Sequence, residues 1–352
     1  MKILVISFAG IGDTIFATPL IHELRENFPE ATIDAFVRWD GAKRLLENNP
    51  YLDAIHQKDI EKESKFNAWR FLIKLRGAHY DVSINTFPQS RREYRYVAKF
   101  INAKTRLSHE YENFTSLDRW LTPGSAPVDY LKHAVENNLS LLQFLDAKPR
   151  LPGHRYELFL TDKEKEWAAA YLAERNLQDR RLLGIHVGSG GTKNLALRRW
   201  PLENYIELAR QLIEKRPELA ILFLGGPGER NDHEKIRAAL GEGKAFFPET
   251  GNLLHAAALI GRCELFLSVD TSNMHLAAAM GVKKQIVIET LTWNKPIEPC
   301  GNPFTLIRNP AVAGRNLDFY RYDGAPIKGK ADELTRIMAS VKVEDVLTAL
   351  LQ

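Results

Sequence analysis

The residues Lys2-Ile3-Leu4-Val5-Ile6-Ser7, followed at once by Phe8-Ala9-Gly10-Ile11-Gly12-Asp13-Thr14, restrict the fold more than any other stretch of this chain. A continuous β-branched and aliphatic run is what a parallel strand buried on both faces requires. Glycines just after it let the backbone approach a ligand at the strand's carboxyl end. Asp13 is out of place in a turn built for pyrophosphate, because a carboxylate repels phosphate and competes for the same N–H donors. Asp13 therefore reads as a candidate catalytic base.

Strands and helices go on alternating behind that turn. Thr18-Pro19 reads as an N-cap followed by proline at the first helical position, with Leu20, Ile21, Leu24 and Phe28 at helical spacing. Residues 13–17 are either a turn before that helix or the first part of a kinked one. Residues 31–37, 54–56 and 81–87 read as strands, and 41–48 and 66–75 as helices. Pro88-Gln89-Ser90-Arg91-Arg92-Glu93 opens another helix and puts Arg91 and Arg92 on the same sheet edge as Asp13. Residues 104–133 are less regular, and 122–127 reads as loop. Helical periodicity returns over 133–145, and Pro149, Pro152 and Gly153 mark a linker between 148 and about 161.

The second half restarts the pattern. Strands are expected at 182–187, 220–224, 264–269 and 285–288, and the last helix has Val343, Val346, Leu347 and Leu350 at i, i+3, i+4 and i+7. Repeated βαβ units give an α/β fold with parallel sheets, and 352 residues exceed what one core usually serves, so two domains are expected. We set them at residues 1–155 and 156–328.

The formal charge of +4 does not announce nucleic acid, though it suits an anionic small ligand or a negatively charged membrane surface. Cys263 and Cys300 are too few for a disulfide framework, and no Cys/His cluster offers metal-ligand spacing. The N-terminus carries no signal-peptide pattern, and 18 consecutive apolar residues occur nowhere. A cytoplasmic protein is expected, with any contact at the inner membrane peripheral.

Three clusters in the second half carry chemistry. Gly188-Ser189-Gly190-Gly191, followed by Lys193, Arg198 and Arg199, combines close backbone approach with cations, which suits a diphosphate; a surface loop with solvated bases fits the spacing equally well. In Ser268-Val269-Asp270-Thr271-Ser272-Asn273-Met274-His275 a strand ends and a helix begins, with Asp270 or Thr271 as its cap and its N–H groups as an anion site. His275 reads more readily as a packed histidine than as a ligand. Gly225-Gly226-Pro227-Gly228-Glu229 is either a tight connection or a turn that puts Glu229 on a ribose hydroxyl. Gly10-Ile11-Gly12-Asp13-Thr14-Ile15 does not complete G-x-G-x-x-G, and no P-loop follows a strand, so dinucleotide oxidoreductases and P-loop NTPases lose their main support.

Four motifs in order, Gly10-Ile11-Gly12-Asp13 with Thr18-Pro19, Arg198-Arg199-Trp200-Pro201, Leu222-Phe223-Leu224-Gly225-Gly226-Pro227, and Ser268-Val269-Asp270-Thr271 with His275-Leu276-Ala277-Ala278-Ala279, resemble glycosyltransferase family 9 over essentially the whole chain. This is the family of the ADP-heptose:lipopolysaccharide heptosyltransferases. The resemblance implies a GT-B architecture, two Rossmann-like domains with parallel sheets facing across a cleft, the first for the acceptor and the second for the nucleotide-sugar donor. It also implies that residues 329–352 pack back toward the first domain. Departures fall at the loop before Trp200, at arginine in place of lysine there, at Ser272 in place of glycine, and at Glu289-Thr290-Leu291-Thr292-Trp293-Asn294.

By the same resemblance the reaction is inverting and metal-independent, with no cofactor beyond the nucleotide sugar, most simply ADP-heptose. Asp13 takes the place of the base. The phosphate-binding lysine falls at Arg198 or Arg199, and the diphosphate and adenosine contacts at Ser189, Glu229, Asp270, Thr271 and His275. Gly12, Gly188, Lys193 and Ser272 complete the expected donor site. Arg91 and Arg92 either meet acidic groups of a lipid-linked glycan such as the lipopolysaccharide core or form a solvated helix face. Two other readings stand beside this one: a nucleotide-sugar epimerase on the same fold, and a non-catalytic nucleotide-binding module.

Overall fold

A computed structural model describes residues 1–189, 195–291, 295–312 and 330–352. The described chain forms two compact units, Met1–Phe159 with Lys295–Cys300, and the rest from Leu160 onward.

The first unit is a six-stranded sheet of β1 (Lys2–Ser7), β2 (Thr32–Val37), β3 (Ala54–Gln57), β4 (Val82–Asn85), β5 (Thr105–Glu110) and β6 (Gly124–Pro127), in the order β3-β2-β1-β4-β5-β6. Every neighbouring pair is parallel. Ile3, Leu4, Val5 and Ile6 of β1 are buried, as a central strand covered on both faces must be.

β5 and β6 correct the sequence reading of residues 104–133. Thr105-Arg106-Leu107-Ser108-His109-Glu110 is too polar to read as a buried strand, yet it pairs with β4 from Thr105 to Leu107. The stretch that reads as loop contains the edge strand β6, where Pro127 is tolerated because its outer side needs no partner. A Cβ on Gly124 would run into the Leu107 side chain, which would have to shift to admit it.

Thr18 is the first residue of the helix Thr18–Asn27, Ala17 is its N-cap and Pro19 its second residue. The Thr18 hydroxyl donates to the Ile15 carbonyl at 2.8 Å and accepts from the Glu157 amide at 3.0 Å, so it is not available as a cap. The expected helix over 133–145 is an α-helix, Ala134–Leu139, continued by a 3₁₀ segment, Ser140–Leu145.

The second unit is a five-stranded parallel sheet of β7 (Arg181–His186), β8 (Leu219–Leu224), β9 (Leu265–Ser268), β10 (Lys284–Ile288) and β11 (Phe304–Ile307), ordered β11-β10-β9-β7-β8. The final helices, Ala331–Ala339 and Val343–Leu351, belong to this unit. Val343, Val346, Leu347 and Leu350 join the apolar core under β10 and the helix Leu202–Lys215, which is where a stripe at that spacing finds cover. Trp200 fixes the same region by donating its indole N–H to the Val341 carbonyl at 2.9 Å.

Residues 295–300 return to the first unit. The amide of Val135 donates to His133 Nδ1, so Nε2 carries the ring proton, and it donates to the Glu298 carbonyl at 2.8 Å. The Tyr156 hydroxyl donates to the same carbonyl at 3.0 Å, and the Cys300 thiol to the His154 carbonyl at 3.4 Å. Among the described residues no helix is long and apolar enough to cross a membrane.

Candidate functional site

In a parallel sheet the carboxyl ends of the strands collect the loops that carry chemistry. At that edge of the first unit β1 runs into the short helix Ile11–Ile15, with Asp13 in its first turn. Asp13 Oδ2 accepts the Gly10 amide at 2.8 Å, and a Cβ on Gly10 would stand only 3.0 Å from that oxygen. Thr14 braces the turn by donating to the Gly10 carbonyl at 3.2 Å and accepting from Ser7 at 3.3 Å. The carboxylate is half-buried and held at a fixed place by backbone. Gly12 lies in this helix, in the first unit, whereas the other described donor candidates lie in the second.

Two residues that sequence reasoning passed over brace the same edge. Gln89, after β4, donates its side-chain N–H to the Ile6 and Thr86 carbonyls, and its amide donates to the Tyr111 hydroxyl at 2.6 Å. Burial, with a smaller contribution from the Asp13 charge, pushes the Tyr111 hydroxyl well above its ordinary range, so it stays protonated.

Arg91 and Arg92 stand where the sequence put them, and both are paired. Arg91 donates to Glu61 at 2.9 Å, and Glu61 is also held by Arg38 at 2.8 Å, so one carboxylate sits between two guanidinium groups. Arg92 makes a two-pronged contact with Asp118, 2.9 Å on each oxygen, which holds the Asp118 carboxyl down to about 2. Arg38 also lies 4.5 Å from the Trp39 ring, and Lys62 lies 5.6 Å from it, giving the end of β2 an aromatic platform with cations. The signal for it was the run Val37-Arg38-Trp39-Asp40, directly after a strand.

At the carboxyl edge of the second unit, β9 leads through Asp270 into the helix Ser272–Ala279, with Thr271 in the N-cap position. The Thr271 hydroxyl is 3.3 Å from His186 Nδ1. Burial brings the His186 imidazole down to about 3, so the ring is neutral. Asp270 is buried against Arg198, which donates to it at 2.6 Å; burial raises its carboxyl and the guanidinium pulls it back. His275 and Ser189 are both buried.

Glu229 is committed to its own turn. Its Oε2 accepts the Gly226 amide at 2.9 Å, and its Oε1 takes Arg199 at 3.3 Å, while a Cβ on Gly188 would run into Oε1. Gly188 is therefore packed against this carboxylate with no room for a side chain. Arg199 donates also to Asp232 at 2.9 Å. The Arg198 side chain is 8% exposed and that of Arg199 25%, so the pair divides into a buried member and an accessible one. Lys193 lies outside the described residues, as do Thr292, Trp293 and Asn294. Among the described residues no group of acidic, histidine or cysteine side chains has the form of a metal site.

Comparison with known proteins fits this arrangement. The profile described as glycosyltransferase family 9 (heptosyltransferase) matches residues 68–315. Lipopolysaccharide heptosyltransferase 3 of Escherichia coli is 26% identical over 290 residues, 76% of this chain and 78% of that protein. A glycosyl transferase family 9 structure from Veillonella parvula superposes with a TM-score of 0.78 at 20% identity, over 99% of this chain and 96% of that one. The E. coli ADP-heptose lps heptosyltransferase II gives 0.74 at 19% identity, over 100% and 98%. At these identities the superpositions show the fold, which is GT-B, two Rossmann-like domains with parallel sheets.

Proposed function

The chain belongs to glycosyltransferase family 9, the heptosyltransferases, and from that premise we propose that it moves heptose from ADP-heptose onto a lipid-linked glycan such as the lipopolysaccharide core, with inversion at the anomeric carbon. An acceptor hydroxyl loses its proton to Asp13 as its oxygen attacks that carbon. The bond to the diphosphate breaks, and ADP departs with the bonding pair. Arg198, Arg199 and Lys193, with the amides at the start of the helix Ser272–Ala279, offset the charge on the leaving group, so no metal is called for in this reading. Gly188, Ser189, Glu229, Asp270, Thr271 and His275 shape the donor pocket. Asp270 orients Arg198, and Glu229 with Asp232 orients Arg199.

The observation that carries this reading is the Asp13 carboxylate, fixed by the Gly10 amide at 2.8 Å directly after β1. A group held by backbone loses no freedom when it takes the proton. Asp13→Asn tests it: turnover is expected to fall by roughly two or more orders of magnitude while ADP affinity stays the same. Retained turnover would sink the assignment, and product formed from donor without acceptor would point to an epimerase instead.

A further inference from the structure

The helix Lys65–Gly77 has two apolar faces where a surface helix needs one. Ala68, Phe71, Leu72 and Leu75, at i, i+3, i+4 and i+7, turn to the core of the first unit. Leu75 is buried, and the Phe71 ring lies 5.2 Å from Phe36. Phe66, Trp69 and Ile73 form a second stripe, roughly 140° further round at 3.6 residues per turn. They are 66%, 54% and 41% exposed.

Single exposed apolar residues are ordinary, but a stripe of three large ones is not. The helix contains no acid. Its charged residues are Lys65, Arg70, Lys74 and Arg76, all exposed, with Lys65 and Arg76 along one border of the stripe and Arg70 and Lys74 along the other. The acids just before it are already engaged, Glu63 with Lys58 at 2.8 Å and Glu61 with Arg38 and Arg91. The next helices in this layer, Arg92–Ile101 and Ser116–Leu121, repeat the chemistry: Trp120 is 59% exposed, with Lys99 Nζ 4.1 Å from its ring.

We infer that this helix is a docking surface for the anionic headgroup layer of a phospholipid bilayer. It lies flat, with Phe66, Trp69 and Ile73 at the acyl boundary and Lys65, Arg70 and Lys74 on lipid phosphates, while Arg76 donates to the Phe100 carbonyl at 2.8 Å. Large apolar side chains bordered by long cationic ones are what an interfacial helix needs, since the stems of Lys and Arg cover apolar surface while their heads reach phosphate. Tryptophan favours that depth. The inference rests on the lipid-linked acceptor of the proposed function and adds the surface that meets the lipid. The helix follows β3, and all strands of this sheet are parallel, so its first turn, with Phe66, lies at the edge that carries Asp13.

Co-sedimentation of the full chain with vesicles tests this, using phosphatidylcholine alone and phosphatidylcholine mixed with phosphatidylglycerol. Binding to the mixed vesicles is expected, weakening as salt is raised. Phe66→Ser with Trp69→Ser is expected to lower the partition coefficient at least about tenfold with no change in melting temperature, because both side chains are already in water. Equal binding by the double variant, binding to neither vesicle, or binding indifferent to phosphatidylglycerol would overturn the inference. So would a change in self-association by the double variant without vesicle binding, which would identify a second copy as the occupant. Transfer to a lipid-free acceptor fragment is read separately and is expected to be unchanged in the double variant. Wild type inert in that assay would count against the acceptor reading, and the vesicle result would still decide the docking surface.

Discussion

Arg198 donates to Asp270 at 2.6 Å with both side chains almost wholly buried, which ties the residues before Trp200 to the end of β9. Removing one member of such a pair strands the other charge, at a cost of roughly 3–5 kcal/mol. Asp270→Ala should lower stability by about that much in urea unfolding, and adding Arg198→Met should recover part of the loss. Additive losses would show that the two side chains do not act as a pair.

Arg199 is the more accessible arginine, shared between Glu229 and Asp232. Arg198→Ala and Arg199→Ala should each weaken ADP binding, by about 10- to 150-fold for one charge-assisted contact of roughly 1.5–3 kcal/mol. Calorimetric titration of both variants shows which guanidinium reaches the diphosphate. Unchanged affinity in both would remove the pair from the donor site.

The Gly10 position should tolerate no side chain without an effect on turnover. A Cβ there stands 3.0 Å from Asp13 Oδ2 and displaces the carboxylate by a few tenths of an ångström. Gly10→Ala is expected to cut kcat about tenfold or more at little change in KM or melting temperature, since a small misplacement of a reacting group is costly. A wild-type kcat would show that Asp13 need not be held where it is.

Acid should loosen the first unit through Asp118. Its carboxyl is held at about 2 by Arg92, against about 3.9 for a free side chain, so the unfolded chain takes up this proton first. The stabilisation is full above about pH 4 and disappears as pH falls toward 2. Melting temperatures of wild type and Asp118→Asn should differ most near neutrality and converge in acid. A gap that stays constant across that range would contradict the pairing.

Much of the scaffold was legible because its central strands are buried on both faces and cannot be written in other residues. Ile3 to Ile6 and Leu182 to Val187 are of this kind, and Leu219 to Leu224, though at the edge of its sheet, is equally buried. β5 and β6 were not legible, because polar strands at the edge of a sheet and next to it owe their form to the neighbours that supply their hydrogen bonds. The position of Asp13 followed from a strand and a glycine turn, which are local signals. What Arg91 and Arg92 touch did not, since Glu61 lies 30 residues before the one and Asp118 lies 26 after the other. Local pattern places a side chain on an edge; its partners arrive from other elements.

The return of residues 295–300 to the first unit bears on how this chain can be cut and recombined. A fragment ending at Phe159 lacks the Glu298 carbonyl on which His133 and Tyr156 converge. Exchange of halves between relatives therefore has no single junction. A hybrid that keeps the first unit whole has to change parent near residue 160 and again on both sides of 295–300, so recombination at one point breaks a unit that contact, not sequence order, defines.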